Sequence, residues 1–126
     1  MAGPTRVLLV DDDRFFAESV AVRLGQDERL EVVGIAEDGA AAIALAEELA
    51  PDLVLMDIAM PGLDGVAATR EIRERSPDTQ VVMLTASTGR SDEEVSGEAG
   101  AIGFLRKTKL DSPRVADSLL ALIELS

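Results

Sequence analysis

Five polar side chains of this sequence lie where a short apolar run gives way to a turn. They are Asp11, Asp12, Asp57, Thr85 and Lys107. Each has an ordinary explanation when taken alone, because aspartates cap helices, threonines at strand ends bond locally and a lone lysine is usually solvated. Taken together, three carboxylates, one hydroxyl and one ammonium group could form a site for a hard cation, provided that the fold brings them to one place.

The stretch around Asp57 shows how that could happen. Four apolar residues, 53–56, lead directly into Asp57, and Pro61, Gly62 and Gly65 follow within eight residues. A short apolar run bounded by turn residues is typical of a buried parallel strand. Such a strand delivers its last residue to the carboxyl edge of the sheet, where open α/β folds bind ligands. The run therefore predicts that Asp57 lies at that edge, although a carboxylate can also simply end a strand.

Five apolar runs alternate with segments of helical periodicity along the whole chain. The predicted strands cover 6–10, 31–36, 53–57, 81–85 and 103–107. The predicted helices cover 14–27, 39–50, 65 to a turn at 76–78, 92–99, and the last segment from Asp111 or Ser112 onward. This alternation predicts an α/β fold in which helices cover both faces of a parallel sheet.

The sequence supports the first predicted helix more strongly than the fourth. Asp13 is placed to cap the first helix, which buries a stripe of Phe16, Val20 and Leu24. The 92–99 segment offers few apolar anchors and contains Gly97, which costs about 1 kcal/mol in a helix interior. We expect that segment to be the least stable helix.

A parallel sheet of this kind would gather the five polar side chains at its carboxyl edge. Three carboxylates within a few ångströms repel one another by several kcal/mol at an effective dielectric constant near 20. Lys107 supplies one compensating positive charge. A hard divalent ion would supply the rest, and Mg²⁺ suits ligands that are all oxygen.

Composition excludes several classes of function. The 126 residues include no Cys and no His, and the net charge is −12. Thiolate chemistry, a His-based phosphocarrier role and direct DNA binding are therefore not expected. The size predicts a single domain over 1–126, with no effector domain in this chain. No apolar run is long enough to cross a bilayer and no secretory signal is evident, so we expect a cytoplasmic protein.

Four motifs at compatible spacing resemble one family. Residues 10–13, 55–65, 84–86 and 100–107 are similar to the receiver domain of bacterial two-component response regulators, and most like those of the NarL/LuxR-type transcriptional regulators. The resemblance covers essentially the whole chain. It implies a flavodoxin-like fold, with a five-stranded parallel sheet of order 2-1-3-4-5 flanked by five helices.

The resemblance also implies roles for individual residues. Asp57 matches the phosphoacceptor, and Lys107 matches the cation that pairs with it or with its phosphate. Asp11 and Asp12 match the acidic pair that holds Mg²⁺ together with Asp57, with the backbone carbonyl of Ala59 as a further ligand. The remaining two matches are Thr85, which contacts the phosphoryl group, and Phe104, the aromatic switch position.

From these roles we expect a phosphorylation-dependent switch in phosphorelay signal transduction. A partner histidine kinase donates the phosphoryl group, because this chain has no His. Phosphorylation would draw Thr85 inward and let Phe104 move, which changes the surface of 86–107 and the last helix. The output is expected to be transcription through a DNA-binding domain absent here. The chain would be no enzyme beyond its own phosphoryl transfer and slow dephosphorylation, since neither Ala59 nor Ser87 can act as a base.

Some points stay open in the sequence. Family members often have Pro after the lysine, and with Thr108 in its place the sequence does not decide whether the Lys107–Thr108 bond is cis. Asp13 suits helix capping better than metal binding. Two faces suit a homodimer, one built from 92–99, the fifth strand and the last helix, and one from the first and last helices. The main alternative function is a receiver-like interaction module that is not phosphorylated and needs no Mg²⁺.

Overall fold

Strands and helices alternate throughout the computed structural model, which describes residues 3–58, 65–85 and 97–125. The strands are β1 (Thr5–Val10), β2 (Leu30–Ala36), β3 (Leu53–Asp57), β4 (Gln80–Thr85) and β5 (Gly103–Arg106). The helices with full bounds are α1 (Arg14–Gly25), α2 (Gly39–Leu49), α3 (Gly65–Arg75) and α4 (Val115–Leu125), with a 3₁₀ helix at Lys107–Asp111. All strand pairs are parallel, and the order is β2-β1-β3-β4-β5. The predicted fold class is therefore confirmed.

The two faces of the sheet carry separate apolar cores. Side chains alternate along each strand, so Leu53 and Leu55 of β3 point to one face while Val54 and Met56 point to the other. The first face packs against α1 and α4, and the second against α2 and α3. All five residues of β3 are buried, which explains why the strand reads as one apolar run.

Aspartates cap the first two helices. The carboxylate of Asp13 accepts a hydrogen bond from the amide of Phe16 at 3.1 Å, as the sequence predicts. Asp38 does the same for Ala41 at 2.7 Å. The first helix ends at Gly25 rather than at residue 27, because the next two amides bond back over three residues instead of four. Its stripe includes Ala17, while Phe16 is only half-buried.

The segment after β5 differs most from the prediction. The strand ends at Arg106, the partner of the last β4 residue Thr85, so Lys107 opens the 3₁₀ helix instead of ending the strand. Leu110 of that turn is buried and anchors it. The last helix begins at Val115, three residues after Ser112, which is the later of the two predicted caps.

The open question about the lysine peptide is resolved. No cis peptide bond occurs among the described residues, so Lys107–Thr108 is trans. In the predicted weak helix, residues 97–99 are helical, and the rest of 92–99 lies outside the described residues. The loop at 86–91 and Ala59 also lie outside them. Within the described ranges, no helix is long and apolar enough to cross a bilayer.

Candidate functional site

The carboxyl edge of the sheet brings the predicted acidic residues together. Asp11 follows β1, and its amide donates to the carbonyl of Ala36 on β2 at 3.0 Å. Asp57 ends β3, and the next amide, that of Ile58, donates to the carbonyl of Leu84 on β4 at 2.9 Å. Because neighbouring strands hold both backbones, the two carboxylates are fixed and almost fully buried, at 2% and 3% exposure.

Asp12 completes an acidic cluster with these two residues. One carboxylate oxygen from each of Asp11, Asp12 and Asp57 lies within 4.8 Å of the other two. Asp12 is exposed, so the cluster opens to solvent on its side. A cation bound there would have carboxylate oxygens as ligands from two strand ends, which is the ligand type that Mg²⁺ prefers.

Lys107 reaches the two buried members of the cluster. Its Nζ lies 2.8 Å from Asp11 Oδ2 and 3.1 Å from Asp57 Oδ2. Burial lowers the pKa of Lys107 and is the largest single influence on it. The close contacts and charges of the two aspartates together outweigh burial and raise the pKa above its ordinary value. The ammonium group is therefore held in the charged form.

One oxygen of the cluster is incompletely satisfied, which tests whether the residues suit a cation. Asp11 Oδ1 accepts a hydrogen bond from the amide of Asp13 at 2.8 Å. Asp11 Oδ2 is buried, and no hydrogen-bond donor in the described part of the chain is aligned with it. The short ion pair with Lys107 attracts it without the geometry of a hydrogen bond. A buried carboxylate oxygen with lone pairs available, beside two further carboxylates, fits a divalent cation.

Two further predicted side chains lie on β4, which neighbours β3, and on β5, the next strand outward. Thr85 is buried at the end of β4, one residue beyond the register partner of Asp57. Phe104 is half-buried on β5, opposite Met83, and packs against the core on the second face. Ala59, the predicted source of a backbone ligand, lies outside the described residues.

Two residues at the site were not expected from the sequence to have a role there. The ring of Phe16 lies beside Lys107, with Nζ 5.1 Å from its centroid. Gly65, the first residue of α3, packs against the backbone of Asp57 so closely that a Cβ atom there would overlap the Asp57 carbonyl. The helical stripe predicted Phe16 only as a core residue, and a glycine after a Pro-Gly turn gives no sign of what it contacts.

Comparisons with known proteins agree with this geometry. The family model described as response regulator receiver domain matches residues 7–118. The chain is 37% identical to the transcriptional regulatory protein LiaR of Bacillus subtilis over 92% of its own length and 54% of that protein. It is 38% identical to protein-glutamate methylesterase/protein-glutamine glutaminase 2 of Photobacterium profundum over 94% of its length and 30% of that protein. The chain thus spans about half or a third of these relatives.

A solved structure gives the same picture. The signal receiver domain of the putative response regulator NarL from Mycobacterium tuberculosis superposes with a TM-score of 0.85 at 34% identity. That alignment covers 97% of this chain and 98% of the other. The similarity therefore extends over the whole described fold, including both edges of the sheet.

Proposed function

The chain belongs to the response regulator receiver domain family, and on that premise we propose that it is a phosphorylation-dependent signalling switch whose phosphoacceptor is Asp57. One observation carries the proposal. A buried carboxylate at the end of the central strand lies 3.1 Å from an ammonium group and beside two further carboxylates. A purely structural carboxylate in that position would not need the two further acids.

The proposed reaction is the transfer of a phosphoryl group from a histidine of a partner kinase. A carboxylate oxygen of Asp57 attacks phosphorus, the bond between phosphorus and the imidazole nitrogen breaks, and the electron pair leaves with the imidazole. Lys107 Nζ, already 3.1 Å from Asp57, balances the charge of the new aspartyl phosphate. Thr85, at the end of the neighbouring strand, is proposed to donate its hydroxyl to a phosphoryl oxygen.

The acidic pair has a different part in the proposal. Asp11 and Asp12 would hold Mg²⁺ together with Asp57 and the carbonyl of Ala59. When bound, Mg²⁺ supplies positive charge against the transferring phosphoryl group. Asp11 also holds Lys107 through its 2.8 Å ion pair. Asp13 is left to cap α1, because its carboxylate accepts the amide of Phe16.

The signal is proposed to travel outward from Thr85. That residue is the register partner of Arg106 on β5, two residues beyond Phe104. A hydroxyl drawn toward the phosphoryl group would free space for the Phe104 ring and change the surface around β5 and α4. The relative LiaR, a transcriptional regulatory protein, supports transcription as the output, through a separate DNA-binding domain. Dimerisation through that surface would follow from the same change.

Intact mass spectrometry after incubation with acetyl phosphate and Mg²⁺ tests the proposal. We expect one added phosphoryl group on the wild-type chain, and none after chelation with EDTA or in Asp57→Asn. Asp52→Asn is the matched control, because Asp52 stands at the opposite edge of the sheet and should leave the adduct unchanged. No adduct on folded wild type would favour an interaction module that is not phosphorylated, and an adduct that persists in Asp57→Asn would place the acceptor elsewhere.

A further inference from the structure

The aromatic ring of Phe16 contacts the ammonium group on which the proposed reaction depends. Lys107 Nζ lies 5.1 Å from the ring centroid. A cation within about 6 Å of an aromatic centroid is attracted by the negative face of the ring. Phe16 is half-buried and packs against the core on the first face of the sheet, so core side chains restrict the movement of its ring.

Phe16 and Lys107 are also connected through the acidic loop. The amide of Phe16 donates to Asp13 Oδ1 at 3.1 Å, and the amide of Asp13 donates to Asp11 Oδ1 at 2.8 Å. Asp11 Oδ2 then lies 2.8 Å from Lys107 Nζ, which returns to the ring of Phe16. The ammonium group is therefore contacted by a carboxylate from the loop after β1 and by an aromatic ring from the first turn of α1.

The ammonium group of Lys107 has space to move away from the two aspartates. A groove of about 440 Å³ opens beside it between α1 and the 3₁₀ helix, and its lining includes Phe16, Lys107 and Asp111. The lysine side chain is 23% exposed, and its flexible four-carbon stem would let the ammonium group move away from the aspartates toward water. The attraction of the Phe16 ring opposes that movement.

We propose that Phe16 is a positioning residue that keeps the ammonium group of Lys107 at the phosphoryl-transfer site. The inference rests on the proposed function, because it assigns Phe16 a part in the reaction at Asp57. The position of the ammonium group matters most when the negative charge on Asp57 is replaced by that of an aspartyl phosphate. Lys107 must then form a new ion pair with the phosphoryl group, and the Phe16 ring together with Asp11 keeps the ammonium group within reach.

The first measurement needs no phosphorylation. The carbon next to Nζ is bonded to an atom that lies 5.1 Å from the Phe16 centroid, so the ring current should shift the NMR signals of its protons away from ordinary lysine values. We expect Phe16→Leu, which keeps an apolar side chain without a ring, to abolish this shift, and Phe16→Tyr to retain it. Phe15→Leu is the matched control, because Phe15 is the preceding residue of the same helix and is 82% exposed.

The second measurement is the rate of phosphorylation by acetyl phosphate and Mg²⁺ in the same four proteins. We expect about a tenfold loss in Phe16→Leu, which corresponds to a cation–π contact of 1.4 kcal/mol. Phe16→Tyr and Phe15→Leu should stay close to wild type. Circular dichroism would verify that all four are folded at the temperature of the assay.

The two measurements separate the inference from the proposed function. A wild-type rate in Phe16→Leu, or an equal loss in Phe16→Tyr, would overturn the positioning role while leaving Asp57 as the acceptor. If folded wild type takes no phosphoryl group, the proposed function fails and with it any role in the reaction. The NMR shift would then still test the contact between the ring and Lys107. Loss of the shift in Phe16→Leu alone would support the ring as the restraint on Lys107. An unchanged shift in Phe16→Leu would refute that role.

Discussion

The two edges of the parallel sheet hold their charged side chains in opposite ways. At the amino edge, where the strands begin, the charges of Arg6 and Asp52 are matched by backbone groups. The amide of Arg6 donates to Asp52 Oδ2 at 2.9 Å, and the Arg6 guanidinium donates to the carbonyls of Leu49 and Ala50 at 2.7 and 3.0 Å. At the carboxyl edge, Asp11, Asp12 and Asp57 face one another instead.

The difference shows which edge is arranged for stability. The guanidinium of Arg6 closes the carboxyl end of α2, where helix carbonyls otherwise have no partner. In the acidic cluster, by contrast, three carboxylates repel one another around the ammonium group of Lys107. We infer that the fold gives up stability at the carboxyl edge for the proposed phosphoryl transfer.

Removing the ammonium group should produce the largest effect. Lys107→Met leaves Asp11 and Asp57 buried together without their common cation, so we expect the free energy of unfolding at pH 7 to fall by about 3 kcal/mol in the absence of Mg²⁺. Added Mg²⁺ should restore part of the loss. Urea denaturation followed by circular dichroism measures both. Equal stability of the variant and wild type without Mg²⁺ would show that the cluster is not under electrostatic strain.

A methyl group at Gly65 should disturb the same edge by contact alone. Its Cβ would overlap the backbone carbonyl of Asp57, so either the strand end or α3 must shift. We expect Gly65→Ala to cost about 2 kcal/mol of unfolding free energy and to slow phosphorylation by acetyl phosphate. Gly25→Ala, where nothing lies within 4 Å of the new Cβ, is the control and should change neither quantity appreciably. Tolerance of Gly65→Ala would mean that Asp57 is held less tightly than this packing indicates.

A substitution at the amino edge should lower stability without changing the rate of phosphorylation. Arg6→Met removes the two bonds from the guanidinium to the end of α2 and keeps most of the apolar stem. We expect about 1 kcal/mol less unfolding free energy. The rate of phosphorylation should be unchanged, because the variant leaves the acidic cluster intact. A slowed rate in folded Arg6→Met would contradict the separation of roles between the two edges.

The smallest effect is expected from an ion pair in the turn before β2, away from the acidic cluster. Side-chain and backbone hydrogen bonds from Arg29 lower the pKa of Asp27 from 3.8 to about 2. A lowered pKa means that the stabilisation is present above pH 3.8 and is lost as pH falls through about 2. NMR titration of wild type and Arg29→Gln measures it, and we expect the variant's pKa to return toward 3.8. Because the side chains of Asp27 and Arg29 are 28% and 53% exposed, salt should weaken the shift. An unchanged pKa in Arg29→Gln would contradict the assigned cause.

The sequence alone was sufficient to predict the parallel sheet and the meeting of the three aspartates at its carboxyl edge. Apolar runs located all five strands, and β3 matches its predicted bounds at both ends, because a central parallel strand is buried on both faces. The cap by Asp13 followed from one residue type at one position. These features depend on local sequence, and the meeting of strand ends at one edge follows from the parallel topology alone.

Other features depend on contacts that no local pattern contains. The bond between Arg6 and Asp52 joins residues that are 46 positions apart. The start of the 3₁₀ helix at Lys107 depends on where β4 stops pairing, and the position of the Phe16 ring depends on a lysine from the opposite end of the chain. Packing between distant parts of the chain therefore determines where β5 ends and that the Phe16 ring faces the ammonium group of Lys107.

The most direct test of the contrast between the edges is the effect of Mg²⁺ on unfolding free energy in three proteins. We expect Mg²⁺ to stabilise wild type, because it binds the folded acidic cluster. Asp12→Asn should be more stable than wild type without Mg²⁺ and should respond weakly to it. Asp52→Asn, at the other edge, should be less stable and respond as wild type does. Wild type that is indifferent to Mg²⁺, or an equal response in Asp12→Asn, would contradict the account.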